Sequence, residues 1–232
     1  MIWMYTGTPG SGKSLHAAKD ILEASFRNQQ VIANFPIRPT KKQRKKGKLP
    51  LYWDNSEITV SRLMEYAMEN HVRGKEGQTL LIIDECAILF NCRAFNEKGR
   101  AEWCKFFSQH RKYGYNIILI TQWDRMLDRQ IRVMAEYNVV HRKANNFQLI
   151  GLLLTLLRIK FFVAVEMWYG VNEVTSRQFF IYRKKYATIY DSYATFAEFG
   201  EAGSAAAADG DGGQGDPAPA GGAELSGDEC AG

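Results

Sequence analysis

The chain has 232 residues, 46% of them hydrophobic, and a formal net charge of +5; a body of this size buries roughly 70% of the surface its unfolded form exposes, enough for a core of its own. Its four cysteines, Cys86, Cys92, Cys104 and Cys230, form no C-x-x-C pattern and have no histidine companions at metal spacing, so neither zinc nor a disulfide framework is indicated. The opening MIWMYTG lacks a basic n-region and runs straight into a glycine loop, so no cleaved signal peptide is expected.

Charge is unevenly spread. From Gly200 to Gly232 the chain is rich in Gly, Ala and Asp, carries seven acids and has no Lys, Arg or aromatic residue, a composition too poor in apolar surface to offset chain entropy. The 25 acids of the chain less these seven leave 18 against 30 bases, so residues 1–199 carry +12. The expected organisation is a basic folded domain over 1–199 and a disordered acidic tail over 200–232. A basic body favours an anionic partner, nucleic acid or an anionic membrane surface, with a merely solvated surface as the plain alternative.

In chain order, Ile2 to Thr6 is a short apolar run that stops at glycine, and from Ser14 the positions Leu15, Ala18, Leu22 and Phe26 recur at helical spacing. This predicts strand, loop, helix. QVIANF, residues 30–35, reads as a second strand ending at Pro36. Residues 38–50, RPTKKQRKKGKLP, read as a proline-flanked basic loop, too irregular for an amphipathic helix. It is expected to be a mobile electrostatic finger for DNA phosphates or acidic lipid, or a run that serves solubility alone. A helix is predicted over about Thr59–Asn70, then a central parallel strand at TLLIIDE, residues 79–85, whose unbroken apolar run suits burial on both faces. A helix over about Arg100–Tyr113 is stopped by Gly114, and NIILITQ, residues 116–122, is another buried strand. A short helix near Leu127–Ala135 and the strand YNVVHRK follow. The tract LIGLLLTLLRIKFFVAVEMW, residues 149–168, is interrupted by Arg158 and Lys160, so each half is too short to cross a bilayer as a helix. It reads as two buried strands, with a membrane-dipping hairpin as the alternative, and SRQFFIYR ends the pattern. Strands alternating with helices imply an α/β fold: a doubly wound, mostly parallel sheet with helices on both faces and room for later strands to extend it antiparallel.

The chemistry concentrates in three places. Gly7, Thr8, Pro9, Gly10, Ser11, Gly12, Lys13 and Ser14, with Leu15 behind them, fit G-x-x-x-x-G-K-[ST] between a predicted strand and a predicted helix. Backbone N–H groups and the positive helix end would cradle the phosphates of ATP, Lys13 would reach the β and γ phosphates, and the Ser14 hydroxyl would ligate Mg2+. LLIIDE places Asp84 and Glu85 beyond the carboxyl end of a strand, where open α/β sheets bind ligands. Asp84 suits a water-mediated magnesium role, and Glu85 suits activation of water, which hydrolysis needs and a metabolite kinase does not. Thr121 and Gln122 end the next strand, and Gln122 would sense the γ-phosphate if that strand lies beside the Asp84 strand. Arg111, Arg125, Arg129 and Arg132 are candidates for an arginine finger or for surface ion pairs.

Several phrases together, MIWMYTGTPGSGKSLHA, VIANFPI, LLIIDECAILFNCR, FFSQHRKYGYNIILITQ, DRQIR and SRQFFIYRKKYATIYDSYATF, resemble the N-terminal ATPase domain of the zonular occludens toxin (Zot) family, to which the filamentous-phage assembly protein belongs. The resemblance implies a P-loop NTPase fold over 1–199 and an ATPase that energises extrusion of phage DNA while coat protein is added. It matches Lys13 and Ser14 to the nucleotide loop, Asp84 and Glu85 to the second acidic motif, and Gln122 to the polar strand end. Asn34 and Arg111 fall in family-like phrases without an assigned role. Members of the family typically continue into a transmembrane helix and a periplasmic segment, whereas this sequence has the acidic tail, so anchorage through a partner or through residues 38–48 is expected instead.

The reading is an oligomeric, ring-forming ATP hydrolase at the cytoplasmic face of the host membrane, partnered by phage single-stranded DNA or nucleoprotein and by coat and envelope assembly proteins. Two alternatives stand beside it: a small-molecule or nucleoside kinase, and a non-catalytic nucleotide-binding interaction or toxin-like protein.

Overall fold

The computed structural model describes residues 1–92, 97–144, 160–171 and 173–190, all within the unit Met1–Ser192. Among them are strands β1 (Ile2–Thr6), β2 (Gln30–Ala33), β3 (Leu51–Tyr52), β4 (Thr79–Ile83), β5 (Tyr115–Ile120), β6 (Tyr137–Lys143), β7 (Phe161–Trp168) and β8 (Glu173–Ile181). The helices are α1 (Lys13–Phe26), α2 (Lys41–Lys46), α3 (Val60–Asn70), α4 (Glu97–Gln109), α5 (Arg129–Val133) and α6 (Lys184–Ala187). One sheet runs in the order β3-β2-β4-β5-β1-β6-β7-β8. The first six strands are parallel, and β7 and β8 add to β6 antiparallel.

All five residues of β4 are buried because their alternate side chains enter different layers. Leu81 and Ile83 join Leu63 of α3, Phe106 and Phe107 of α4 and Ile131 of α5. Leu80 and Ile82 join Ala17, Ala18, Ile21 and Ala24 of α1 and, further along the sheet, Phe162, Phe180 and Ile189. Fully burying one such large apolar side chain contributes about 1.5–3 kcal/mol, so the two layers fix β4 and its neighbours as the rigid centre of the sheet.

The basic stretch differs from the expected mobile loop. Thr40 accepts from the Gln43 N–H at 3.2 Å while the Gln43 side chain accepts from the Thr40 N–H at 2.9 Å, a capping box that starts α2. Lys42 and Lys48 then donate to the carbonyls of Phe26 and Asn28. Local capping, which amphipathic periodicity does not report, orders this segment. The short helix expected near Leu127–Ala135 is α5, shortened to Arg129–Val133 because Asp128 caps the Gln130 N–H at 2.8 Å, and a single 3-10 turn, Asp124–Met126, precedes it. Of the two strands expected over 149–168 the second is β7; the first, and the tail from Gly200, lie outside the described residues.

Candidate nucleotide-binding site

The sheet order places β5 between β1 and β4, so three chemically loaded strand ends meet at one edge. The loop after β1 is tied to the end of β5 by the Gly7 N–H, which donates to the Gln122 carbonyl at 3.3 Å, and the Thr121 N–H donates to the Tyr5 carbonyl at 3.0 Å. On the other side the Cys86 N–H donates to the Ile120 carbonyl at 3.0 Å, holding the chain beyond β4 against β5. The condition set for Gln122, a strand beside that of Asp84, is met by the β4–β5 pairing that runs to Ile83 and Leu119. Gln122 itself is exposed.

Residues 7–12 turn tightly because glycine supplies what other residues cannot. Gly7 has φ +141°, and a Cβ there would lie 2.5 Å from the His141 carbonyl oxygen; at Gly12, φ +98°, it would lie 2.7 Å from the Phe162 ring. Thr8, Pro9 and Gly10 are exposed at the rim. Ser11 is buried, and its hydroxyl has no hydrogen-bond partner among the described residues. Gly12 begins α1 with no side-chain cap, so the first-turn N–H groups are available to an anion. Leu15 packs into the layer below. The Lys13 ammonium donates to the Gly7 and Thr8 carbonyls at 2.7 and 3.2 Å. Burial pulls its pKa down, and the nearby Asp84 and Glu85 charges oppose that shift.

The acidic pair is held by a residue whose role the sequence left unassigned. The Asn34 amide accepts from the Asp84 N–H at 2.7 Å and donates to the Asp84 carbonyl at 2.8 Å, and it also reaches the Asn55 amide at 2.8 Å. Polar termination of β2 next to the acidic strand was the available signal, but it needed the β2–β4 adjacency to be read. Asp84 also accepts from the Glu85 N–H at 2.8 Å. Glu85 is exposed and takes a left-handed backbone, φ +47°, unusual for a residue that is neither Gly nor Asn. The Tyr190 hydroxyl donates to the other Asp84 oxygen, with the Ser14 side chain near enough to influence its titration. Burial and the Asp84 charge push the phenol pKa far up.

Behind the loop lies a polar seam that sequence periodicity did not reveal. His16 of α1 and His141 of β6 are buried with their Nδ1 and Nε2 atoms 2.9 Å apart. The Thr6 and Val139 carbonyls can only accept, so His141 Nδ1 donates to them, at 3.1 and 3.0 Å, and its Nε2 accepts from His16. Tyr5 stacks on His16 with centroids 4.9 Å apart and donates to Asp20 at 2.6 Å. Burial lowers the pKa of His16 to about 3 and of His141 to about 4, and raises that of Asp20 to about 7.

Of the arginines, Arg111 lies at the opposite end of the sheet, paired with Glu136 just before β6. Arg132 lies 3.8 Å from Asp124, Arg125 stacks over Trp123, and Arg129 is exposed on α5. His110 donates to the Phe107 carbonyl and is buried within the turn after α4.

The residues present fit an anionic phosphate ligand with magnesium. A cradle that a Cβ would fill, the orphaned Ser11 hydroxyl, the Ser14 hydroxyl at the start of α1 and the Asp84 carboxylate converge at one strand edge. Known proteins share both sequence and fold with this chain. The gene 1 protein of Enterobacteria phage M13 is 27% identical over 162 residues, 67% of this chain and 47% of that protein. The chain thus spans about half the length of this curated relative. Its fold is shared by the N-terminal domain of zonular occludens toxin from Neisseria meningitidis, with TM-score 0.50, 19% identity and coverage of 82% and 98% of the two chains. A second solved structure, the ATPase domain of a more distant protein, shares it with TM-score 0.53, 10% identity and coverage of 82% and 84%. The sequence profile of the zonular occludens toxin (Zot) family matches residues 1–197, and the chain, with its P-loop NTPase fold, belongs to that family.

Proposed function

We propose that this protein is a magnesium-dependent ATP hydrolase that powers assembly and export of a filamentous phage through the cell envelope. The observation that carries the reading is the meeting of the glycine loop, the Asp84–Glu85 pair and the Gln122 strand end at one sheet edge, with β5 between the other two strands. That supplies phosphate donors, metal-binding oxygens, a water-directed carboxylate and a polar sensor, the set that hydrolysis needs.

In this reading Lys13 leaves the Gly7 and Thr8 carbonyls to bind the β and γ phosphates, and the N–H groups of residues 10–15 complete the cradle. Ser14 and, through water, Asp84 would hold magnesium, which when bound neutralises charge developing on the transferred phosphoryl group. Glu85 orients the attacking water and accepts its proton, and Gln122 reports the γ-phosphate to the loop through the Gly7–Gln122 bond. The acidic residues 200–232 are an appendage to the ATPase domain of residues 1–199, and the working form is a ring at the cytoplasmic face of the host membrane. Phage single-stranded DNA and coat proteins are the proposed partners, with the Lys-rich α2 region as a peripheral contact to anionic lipid.

The test is ATP turnover without any added acceptor, measured against protein concentration and with or without single-stranded DNA. The reading expects turnover that rises with concentration and with DNA, loss of nucleotide affinity in Lys13→Ala, and retained binding with little turnover in Glu85→Gln. Turnover that requires a small-molecule acceptor would favour a kinase instead, and normal turnover in Glu85→Gln would remove Glu85 from the mechanism.

A further inference from the structure

The C-terminal end of the described chain returns to the nucleotide edge. After α6, the Ile189 side chain is buried in the α1 layer, the Arg38 N–H donates to the Ile189 carbonyl at 3.1 Å, and Ile37 and Tyr190 form an antiparallel bridge. The Tyr190 ring tilts against Phe35 with centroids 4.3 Å apart. This docking brings its hydroxyl onto the Asp84 carboxylate.

We propose that Tyr190 is a gate on the metal site, its phenol oxygen holding the place at Asp84 until Mg2+ and nucleotide displace it and free residues 188–190 from residues 37–38. The proposal rests on the assignment of Ser14 and Asp84 as metal-binding groups. Magnesium takes oxygen ligands at about 2.0–2.1 Å and keeps several waters. A phenol oxygen hydrogen-bonded to Asp84 therefore occupies the place that the Asp84-bound water of the ion needs. The phenol cannot yield by a small rotation, because Phe35 and the Ile37 bridge fix the ring and its backbone. Its departure strips the backbone bridge, so occupancy of the site is transmitted to residues 188–190. A phenol that binds only the metal-free state also taxes metal affinity by the ratio of closed to open populations.

Tyr190→Phe keeps the ring on Phe35 and removes the hydroxyl. Fluorescent ATP analogue titrated at increasing Mg2+ should show half-saturation at about tenfold lower Mg2+ in Tyr190→Phe, as expected for loss of one hydrogen bond to a charged group, with affinity in EDTA unchanged. Independently, hydrogen exchange at the Arg38 amide should be slow in the wild type alone and with nucleotide in EDTA, and fast with Mg2+ and ATPγS. Unchanged or weakened Mg2+ dependence in the variant, or an Arg38 amide that stays protected in the Mg2+ complex, overturns the gate while leaving the ATPase reading intact. Absence of nucleotide binding in the wild type overturns both.

Discussion

The Asn34 side-chain amide pairs with both backbone groups of Asp84, accepting at 2.7 Å and donating at 2.8 Å. An amide that satisfies both groups where the ladder ends makes β2 a brace for the acidic strand end, so a residue that the sequence left without a role positions the carboxylates.

Asn34→Ala leaves the Asp84 N–H and carbonyl without these partners, at about 1–3 kcal/mol for an unsatisfied buried group. Thermal denaturation should show a midpoint lowered by about 2–4 °C per kcal/mol. Turnover should fall between about 10- and 100-fold, the scale for a misplaced catalytic group, with nucleotide affinity nearly unchanged. Equal losses of affinity and turnover would mean that Asn34 contributes to binding, contrary to its place beside the carboxylates.

The glycine loop makes a graded prediction. At Gly7 an added Cβ meets backbone, the His141 carbonyl, at 2.5 Å, whereas at Gly10 it meets nothing within 4 Å and only φ +72° opposes it. Gly10→Ala should cost about 1–2 kcal/mol, the left-handed penalty. Gly7→Ala adds a clash that His141, pinned in β6, cannot relieve, so its melting point should fall further and its nucleotide binding should vanish. Parallel melts and titrations of the two variants check the order.

The buried seam predicts acid lability. His16 and His141 have folded pKa values of about 3 and 4 against 6.5 unfolded. Below pH 6.5 the unfolded chain therefore takes up protons that the folded chain refuses, and each histidine costs about 1.4 kcal/mol per pH unit until its folded pKa is reached. Asp20 acts oppositely: its folded pKa of about 7 lies above the unfolded 3.8, so its contribution to stability grows as pH falls between them. Two histidines against one carboxyl leave about one proton, so stability should fall by about 1.4 kcal/mol per unit from pH 6.5 to 4. Asp20→Asn keeps an acceptor for Tyr5 and removes the opposition, so denaturant titrations should show a slope about twice as steep. An unchanged slope would show that Asp20 does not titrate in this window.

Most of the sheet and the phosphate loop can be read from local signals, because apolar runs such as LLII and the glycine spacing are set by residues close in sequence. The pieces that remained hidden are contacts between distant segments. Asn34 and Asp84 are brought together only by the β2–β4 pairing, His16 and His141 only by the seating of α1 on β6, and Tyr190 and Asp84 only by the return of the chain after α6. The order of α2 escaped for another reason: its capping box is local, but the lysine run masks it in any hydrophobic pattern.

Glu85 offers the sharpest separation of stability from activity. Its left-handed backbone, φ +47°, costs a side-chain-bearing residue about 1–2 kcal/mol, and glycine would remove that strain while giving back about 0.5–1 kcal/mol through unfolded-chain entropy. Glu85→Gly should therefore melt about 1–4 °C higher than the wild type and still lose about 10²- to 10⁴-fold in turnover, the range for a removed general base. Glu85→Gln shares the loss of turnover but keeps the strained backbone, so its melting point should stay at the wild-type value. A Glu85→Gly protein that melts below Glu85→Gln would show that the backbone strain at residue 85 is smaller than the entropy cost of glycine, about 0.5–1 kcal/mol.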